Sequence, residues 1–343
     1  MLQPYPMMNI NFVLADIGKR QCKYFSLIDL SDSYRQIPLS KRSQEIATMS
    51  TIVGDFSPTT CTFGLKNLPF VFTKLMDKIF YSIRGKYMDN YIDDVIIYSK
   101  SFTDHIQHIE EVLHRLKEAN LTAKPVKTFL CKKSVRYLGF ILDKNGISTT
   151  EENISKIKNF PRPLIQKDVR AFLGLSGFYR RMIQGYSLKA RPLFDLTKKQ
   201  TGKFVWTNEA NDAFEELKIK LTSAPLLAFP DMNSKEPLIV TVDTSSSGIG
   251  YVLSQRQYSE QTGKLIERPI CYGSTGLRGP QQKMGSTDLE LTGVCYALKK
   301  LDCWLRGIQF QLITDHKSLT YLIYKRMDEM KPTIARKVFF ATI

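Results

Sequence analysis

Apolar and polar positions in the first part of the chain predict a small sheet flanked by helices. Residues 24–30 form an apolar run typical of a buried strand, and residues 87–98 contain two β-rich runs that meet at an acidic turn. Apolar residues recur with helical spacing over residues 68–83 and 103–119. Residues 135–148 resemble a hairpin, in which an apolar strand leads into the turn sequence Asp-Lys-Asn-Gly. This order of strands and helices predicts an α+β fold.

The rest of the chain separates into a helical stretch and a second β-rich unit. Helical patterns cover residues 167–183 and 208–222, and prolines interrupt the segments around them. Predicted strands resume near Pro237 and are followed by a helix over residues 288–306 and a last strand. We therefore predict domain boundaries near residues 150 and 235.

The composition excludes several classes of protein. A chain of 343 residues with 43% hydrophobic residues can bury a sizeable core, so it is not a mostly disordered tail. No apolar run approaches the ~18 residues of a membrane span, and the N-terminal residues lack the basic start of a secretory signal. The six cysteines show no CxxC pair and no metal-ligand spacing, which fits thiols in a reducing compartment. We therefore expect an intracellular protein, not a secreted one, without a membrane partner.

The chain is strongly basic along its whole length. It has 49 Lys and Arg residues against 33 Asp and Glu, a formal net charge of +16. All three predicted segments are positive, and the middle segment has the highest density of positive charge. Such a charge fits either a solvated lysine-rich surface or an extended track for a polyanion such as nucleic acid, and charge alone favours neither.

Three carboxylates of the first segment follow apolar strands. Asp29 ends the run at residues 24–30, and Asp93 and Asp94 occupy the acidic turn. Adjacent carboxylates in an apolar setting repel one another and lose hydration, which a divalent cation relieves. Mg²⁺ prefers oxygen ligands, and a pair of such ions supports phosphoryl transfer. The alternative is a solvated turn with no bound metal.

A second set of three carboxylates follows the same logic in the last segment. Asp243 follows an apolar strand, Glu290 lies near the start of a helix, and Asp315 follows the last strand, so they can converge on one metal. Each has a simpler explanation. Glu290 fits a capping box that begins at Thr287, Asp243 fits an Asx turn, and Asp315 fits a plain strand exit.

Several motifs together resemble the reverse transcriptase and ribonuclease H region of gypsy-type LTR retrotransposon Pol polyproteins. The resemblance extends from about residue 4 to residue 340 and keeps the order and spacing of the family. The motifs are Tyr91-Ile92-Asp93-Asp94, Phe25-Ser26-Leu27-Ile28-Asp29-Leu30 with Ser33-Tyr34-Arg35-Gln36-Ile37, Phe63-Gly64-Leu65-Lys66-Asn67 with Pro69, Tyr137-Leu138-Gly139 with Gly146-Ile147, Phe172-Leu173-Gly174-Leu175 with Tyr179-Arg180-Arg181, Asp243-Thr244-Ser245 with Gly248-Ile249-Gly250, Ser286-Thr287 with Glu290-Leu291, and Thr314-Asp315-His316-Lys317-Ser318-Leu319.

The resemblance implies an α+β reverse transcriptase palm with partial fingers over residues 1–150, a helical thumb and connection over 151–235, and an α/β ribonuclease H-like domain with a mixed sheet over 236–343. Asp29, Asp93 and Asp94 would be the catalytic carboxylates and would hold two Mg²⁺ ions, with Mn²⁺ as a possible substitute. The implied substrate-binding residues are Tyr34, as the aromatic gate against a ribose 2′-OH, together with Gln36, Phe63, Gly64, Tyr91, Arg180 and Arg181.

In the ribonuclease H-like segment, Asp243, Glu290 and Asp315 would be the catalytic metal ligands. The implied partners are an RNA template, a DNA primer, an RNA–DNA hybrid, deoxynucleoside triphosphates and the rest of a Pol polyprotein. The implied location is a cytoplasmic particle or the nucleus. For Tyr34 the alternative is a core tyrosine, and for Arg180 and Arg181 it is a solvated basic helix face. The pairs His105/His108 and Cys131/Lys132 indicate only helix surface and loop.

The chain also departs from the family pattern. Relative to the family it begins after the basic finger residues that contact the triphosphate, and it ends before the last ribonuclease H carboxylate. Ser33 stands where glycine is usual. Missing triphosphate contacts would remove charge stabilisation from the transition state, so we expect weakened polymerase turnover. Two other hypotheses remain open: a decayed or co-opted copy that binds nucleic acid without catalysis, and a pseudogene translation without a stable product.

Overall fold

The structure, a computed structural model, describes residues 5–6, 9–198, 204–259, 262–316 and 319. The chain divides into two compact units, the first ending at Lys144 and the second beginning at Asn145. Among the described residues, no helix has the length and apolar character needed to cross a membrane.

The first unit has an antiparallel sheet covered by helices. Its helices are α1 (Ile10–Lys19), α2 (Lys41–Ile46), α3 (Leu68–Phe80) and α4 (Phe102–Glu118), with 3₁₀ turns at Ser33–Gln36 and Pro125–Lys127. Its strands are β1 (Tyr24–Asp29), β2 (Met49–Thr51), β3 (Gly54–Phe56), β4 (Met88–Tyr91), β5 (Asp94–Ser99), β6 (Phe129–Lys132), β7 (Ser134–Tyr137) and β8 (Phe140–Asp143).

The central sheet of this unit runs in the order β4-β5-β1-β6. The residues Val95 and Ile97 of β5 are fully buried, and they share one core with Phe72 and Met76 of α3 and Val112 of α4. Burial of aliphatic and aromatic side chains on this scale is the main force that holds the helices against the sheet. The core therefore fixes β1 and β5 as rigid neighbours, and the acidic positions lie at their ends.

The turn predicted at Asp-Lys-Asn-Gly is present at residues 144–145, but a second turn divides the strand predicted before it. Leu138 and Gly139 both have positive φ, 47° and 77°, and they form a two-residue turn between β7 and β8. A two-residue hairpin turn needs left-handed backbone at its centre, which glycine supplies readily and leucine only at a cost. The prediction of one continuous strand before Asp-Lys-Asn-Gly is therefore wrong.

The second unit combines a group of helices with a mixed sheet. Its helices are α5 (Glu151–Lys158), α6 (Gln166–Phe178), α7 (Tyr186–Lys189), α8 (Arg191–Leu196), α9 (Asn208–Thr222) and α10 (Ser286–Leu305), with 3₁₀ turns at Arg180–Met182 and Gly279–Lys283. Its strands are β9 (Gly146–Thr149), β10 (Leu227–Ala228), β11 (Leu238–Ser245), β12 (Gly248–Ser259), β13 (Lys264–Gly276) and β14 (Phe310–Ile313).

The mixed sheet of this unit has the order β13-β12-β11-β14. Strands β11, β12 and β13 pair antiparallel, whereas β14 pairs parallel to β11. Helix α10 packs on β11 at Gly293, where an added Cβ would lie 2.0 Å from the Thr244 hydroxyl oxygen. The absence of a side chain at Gly293 thus lets α10 approach the sheet closely.

Candidate active sites

Strand pairing brings the three carboxylates of the first unit to one end of the sheet. Asp29 at the end of β1 is the direct antiparallel partner of Asp94 at the start of β5. Asp93 precedes it in the two-residue turn between β4 and β5, where Ile92 has a positive φ of 56°. This conformation is costly for a β-branched residue. The side-chain amide of Asn90 donates a hydrogen bond of 3.1 Å to the Ile92 carbonyl oxygen and supports the turn.

The charges of these carboxylates interact. Burial, and then the neighbouring Asp93 and Asp29, raise the pKa of Asp94 from 3.8 to about 6, and Lys127 opposes the rise. The Lys127 ammonium lies 3.4 Å from a carboxylate oxygen of Asp29. Like charges disfavour the ionised form, so this end of the sheet carries more negative charge than Lys127 offsets.

Ser33 contacts the third carboxylate directly. Its buried hydroxyl donates a 3.0 Å hydrogen bond to Asp93 Oδ2. Beside Asp29 and Asp94 lies a cleft of about 230 Å³, which Lys127, Arg136 and Tyr137 help to line. The Tyr137 hydroxyl donates a hydrogen bond of 3.3 Å to the Asp94 carbonyl oxygen. The cleft thus places basic and hydroxyl groups next to the carboxylates.

The predicted nucleotide-pocket residues lie near this site. The Tyr34 ring makes edge contacts with Phe63 and Phe72, with centroids 6.0 and 5.6 Å apart. The pKa of the Tyr34 hydroxyl is raised by burial and then by the negative charge of Asp93. Phe63 is 68% exposed, and Gly64 has a φ of +96°, which favours glycine.

Tyr91 is half-buried and pairs with Asp94 across the turn. Tyr34 packs partly buried against the core of this unit, as the alternative of a core tyrosine expects, and the charge of Asp93 also acts on its hydroxyl.

The side-chain amide of Gln36 makes hydrogen bonds to the backbone at both of its ends. Its amide nitrogen donates to the carbonyl oxygens of Ser31 and Thr122, and its amide oxygen accepts a 2.7 Å hydrogen bond from the Thr122 N–H. These bonds use both ends of the side chain to hold the segment after β1 to the segment after α4. The prediction that Gln36 contacts substrate is therefore corrected to a structural role, since a nucleotide contact would break these bonds.

Arg180 and Arg181 differ in exposure. Arg180 is exposed, as a contact to a nucleic-acid backbone requires. Arg181 is buried with 8% exposure, and burial lowers the pKa of its guanidinium, which lies near Cys271, Cys303 and Tyr251. The prediction that Arg181 contacts the duplex is corrected, because its side chain packs inside the second unit.

The second set of carboxylates lies around β11, α10 and the end of β14. Helix α10 begins at Ser286 with Gly285 as its N-cap, so Thr287 is inside the helix and the capping-box explanation of Glu290 is wrong. Asp243 lies within β11 and pairs with Gly250, which excludes an Asx turn at that residue. Continuing the parallel register of Thr241 with Ile313 brings Asp315 beside Asp243.

Glu290 is the buried member of this set. It is 6% exposed, and its Oε2 has no hydrogen-bond partner among the described residues. Burial, and then the charge of Asp315, raise its pKa; Asp243 adds to the rise, and His316 and the Thr244 hydroxyl oppose it. Asp243 and Asp315 are exposed at the sheet edge. An unpaired buried carboxylate oxygen is costly, which makes this edge suited to a cation.

Both sets consist of carboxylate oxygens, the donors that Mg²⁺ and Mn²⁺ prefer. In the described part of the chain, no three His, Cys, Asp or Glu side chains already stand at metal-binding spacing. The donor chemistry of the two sets fits a divalent cation, and the strand registers place Asp29 beside Asp94 and Asp315 beside Asp243.

The histidines of α4 form a polar network that the sequence pattern missed. His105 is fully buried; its Nε2 lies 2.7 Å from Ser26 Oγ and its Nδ1 lies 2.7 Å from Ser99 Oγ. Ser26 Oγ also accepts a 3.0 Å hydrogen bond from the N–H of Cys131, which lies in β6. The expectation of helix surface and loop is therefore wrong for His105 and Cys131. The sequence offered one indication of this network, because Ser26 and Ser99 are polar residues inside apolar strands.

Comparisons with known proteins agree with both halves of the architecture. Residues 4–142 match the family "Reverse transcriptase (RNA-dependent DNA polymerase)", and residues 206–312 match "RNase H-like domain found in reverse transcriptase". The chain is 35% identical over 339 residues to the retrovirus-related Pol polyprotein from transposon gypsy of Drosophila melanogaster, covering 95% of this chain and 31% of that protein. It is 32% identical to the Pol polyprotein from transposon opus of the same organism, covering 94% and 32%.

A more distant relative is the transposon Tf2-3 polyprotein of Schizosaccharomyces pombe, 27% identical, with 98% of this chain and 25% of that protein covered. The chain thus spans about a third or less of the length of these relatives.

Two solved structures share the fold. A foamy viral protease-reverse transcriptase in complex with RNA/DNA hybrid has a TM-score of 0.78 and 24% identity, covering 100% of this chain and 45% of that chain. A foamy viral protease-reverse transcriptase in complex with dsDNA has a TM-score of 0.80 and 24% identity. The match covers 100% of this chain and 69% of that chain. The chain therefore carries a reverse transcriptase domain followed by a ribonuclease H-like domain, and over nearly its whole length it is similar to part of the gypsy-type retrotransposon Pol polyproteins.

Proposed function

We propose that this chain performs RNA-directed DNA synthesis in its first unit and cleaves the RNA of RNA–DNA hybrids in its second. One observation carries the proposal: Asp29 and Asp94 face each other as paired residues, with Asp93 in the adjoining turn. Raised pKa values at Asp94 and Glu290 support it, because burial and then neighbouring carboxylates raise both. Perturbed carboxylates in a cleft are typical of catalytic positions.

In the first site, Asp29, Asp93 and Asp94 would hold Mg²⁺, with Mn²⁺ as a substitute. When bound, a pair of such ions stabilises the attacking and leaving oxygens of phosphoryl transfer. Tyr34, held by Phe63 and Phe72, would narrow the pocket beside Asp93 and exclude a ribose 2′-OH. Tyr91 would support the acidic turn, and exposed Phe63 and Gly64 would border the template base. Arg180 would contact the duplex backbone.

In the second site, Asp243, Glu290 and Asp315 would hold the same kind of ion. The buried Glu290 would supply the fixed ligand, since its free oxygen has no other partner among the described residues. The exposed Asp243 and Asp315 would face the hybrid. The leaving group would be the 3′-oxygen of the cleaved RNA strand, with water as the nucleophile.

The proposed partners follow from this chemistry. They are an RNA template, a DNA primer, their hybrid and deoxynucleoside triphosphates, with a net charge of +16 to attract the polyanions. The remainder of a Pol polyprotein is a further proposed partner, since the relatives are longer. We place the protein in a cytoplasmic particle or the nucleus, in agreement with its six cysteines, none of which is in a disulfide bond.

Primer extension tests the polymerase half. The full chain is given an RNA template, a DNA primer, deoxynucleoside triphosphates and Mg²⁺, and it should extend the primer. The double variant Asp93→Asn/Asp94→Asn should lose extension by at least a thousandfold, on the order of the loss from removing a main electrostatic element of a site. Glu110→Gln/Glu118→Gln removes two exposed carboxylates of α4 and should extend normally. Extension that survives in the first variant would overturn the site assignment.

Hybrid cleavage tests the second half separately. A 5′-labelled RNA annealed to DNA should be cut by the wild type and by Asp93→Asn/Asp94→Asn, but not by Asp243→Asn or Glu290→Gln. Tight binding to the hybrid without cleavage or extension by the wild type would instead support a copy that binds nucleic acid without catalysis. Chain that fails to fold on expression would support the pseudogene hypothesis.

A further inference from the structure

The second unit contains a basic cleft outside the carboxylate site. It has a volume of about 550 Å³ and lies between α8, the turn from β11 to β12, and the segment after β13. Cationic residues on its wall are Arg191, Lys198 and Arg278. Ser247 and Thr275 also line it. Among the described residues that line it, the one carboxylate is Asp195.

The cations of this cleft are not equivalent. Lys198 makes an ion pair of 2.6 Å with Asp195, so these two charges offset each other. Arg191 and Arg278 are exposed, and within the described part of the chain neither guanidinium makes a hydrogen bond or an ion pair. The cleft therefore presents two guanidinium groups with free donors. The planar guanidinium group can donate two parallel hydrogen bonds to a phosphate or a carboxylate.

The strand register relates the cleft to the carboxylate site. Asp243 precedes Ser245 by two residues on β11, which is roughly 7 Å along an extended strand. Ser245 pairs with Gly248, and its hydroxyl oxygen lies 2.8 Å from that of Ser247 on the cleft wall. Nucleotides in one strand of a duplex are spaced roughly 3.4 Å apart along the axis. The cleft thus begins about two or three nucleotides from a phosphate held at Asp243.

We propose that Arg191 and Arg278 bind the sugar-phosphate backbone of a hybrid whose RNA strand lies at the Asp243–Glu290–Asp315 site. This deepens the proposed ribonuclease H function and rests on it. The two arginines hold the strand two or three nucleotides from the cleaved phosphate and contact no base. They set the register of the hybrid without sequence preference, as backbone contacts do.

The salt dependence of binding tests the proposal. A fluorescent RNA–DNA hybrid is titrated with the full chain in EDTA, so that no cleavage occurs, over a series of salt concentrations. Arg191→Gln/Arg278→Gln should lower the slope of log affinity against log salt by about 2 in magnitude, because each lost phosphate contact releases about one counterion less. The matched control is Arg256→Gln/Arg306→Gln, which removes two exposed arginines outside the cleft and should leave the slope almost unchanged.

A second measurement locates the contact. Single phosphates of the RNA strand are replaced one at a time by neutral methylphosphonates. Wild-type chain should lose affinity at one or two adjacent positions, and the Arg191→Gln/Arg278→Gln variant should not respond at those positions. Equal slopes and equal position profiles for wild type and variant would overturn the cleft assignment while hybrid binding itself stands. Failure of every chain to bind the hybrid would overturn the proposed function as well, so the two failures are distinct.

Discussion

The buried hydroxyl of Ser33 donates a 3.0 Å hydrogen bond to Asp93 Oδ2, across the space between the end of β1 and the β4–β5 turn. The bond occupies one carboxylate oxygen and fixes the orientation of the Asp93 side chain. Hydrogen bonds of this kind orient metal-binding carboxylates and are worth 10- to 100-fold in metal affinity in other proteins.

Replacing Ser33 should therefore weaken metal binding at the first site. We expect Ser33→Ala to raise the Mn²⁺ dissociation constant roughly tenfold, with Ser33→Thr retaining part of the affinity. Mn²⁺ titration followed by electron paramagnetic resonance measures this without any turnover. Ser50→Ala removes a similar bond, from Ser50 Oγ to Asp55 on the exposed β2–β3 hairpin, and should leave Mn²⁺ affinity unchanged. Equal Mn²⁺ affinity of wild type and Ser33→Ala would contradict a positioning role.

The close packing of α10 on β11 should be needed for the second site. Gly293→Ala places a methyl group 2.0 Å from the Thr244 hydroxyl oxygen, so we expect a loss of about 1–3 kcal/mol in the free energy of unfolding of this unit. Hybrid cleavage should fall with it, since Glu290 lies one turn earlier on α10, while primer extension should continue.

Two further variants separate packing from other effects at this helix. Adding Thr244→Ala to the Gly293→Ala variant removes the clashing oxygen. The double variant should recover part of the stability that Gly293→Ala loses. Gly174→Ala is the matched control, because an added Cβ there meets nothing within 4 Å and alanine is the better helix former. Thermal unfolding of the three variants measures the effect, and a Gly293→Ala chain as stable as Gly174→Ala would refute the packing argument.

The sequence predicted the strands that bear the acidic residues, but it predicted the contacts between side chains less well. The apolar run ending at Asp29 and the paired runs around Asp93 are strands in the structure, and helix α9 has the predicted bounds, Asn208–Thr222. These features depend on local periodicity. The turn at Leu138–Gly139 was missed because leucine is unfavourable in left-handed backbone, whereas the nearby turn at Asp-Lys-Asn-Gly was predicted and is present.

Side-chain roles that depend on distant neighbours could not be read from the pattern. Gln36 sits in a family motif, but its amide bonds to Thr122, which is remote in the sequence. Arg181 adjoins the exposed Arg180, but the sheet of the second unit covers it. The start of α10 at Ser286 shifted Thr287 into the helix, since Gly285 takes the N-cap position with no side chain to signal it.

The buried His105 should make the first unit sensitive to acid. Burial, and then His108, lower the pKa of His105 from 6.5 to about 4. Between these values the unfolded chain binds a proton at this residue and the folded chain does not, so the free energy of unfolding falls as the pH falls. The contribution of His105 is fully present above about pH 6.5, and about 3 kcal/mol of it is lost by pH 4.

A difference measurement isolates this residue, because Asp94 has a raised pKa and changes stability in the opposite direction over the same range. The stability advantage of wild type over His105→Gln, measured by urea unfolding, should shrink as the pH falls from 7 to 4. His114→Gln changes a histidine that is 68% exposed, and its difference from wild type should stay nearly constant. A constant difference for His105→Gln would show that His105 does not titrate as a buried group.

The contrast between Arg180 and Arg181 predicts two separable defects in neighbouring residues. Arg180 is exposed, so Arg180→Gln should weaken hybrid binding and reduce its salt slope by about 1 in magnitude with little change in the unfolding midpoint. Arg181 is buried beside Cys271 and Tyr251, so Arg181→Ala should remove packed atoms and cost about 2–3 kcal/mol of stability. Its hybrid affinity per folded molecule should equal that of wild type. The reverse assignment, a binding defect in Arg181→Ala at full stability, would require the Arg181 side chain to reach the nucleic acid.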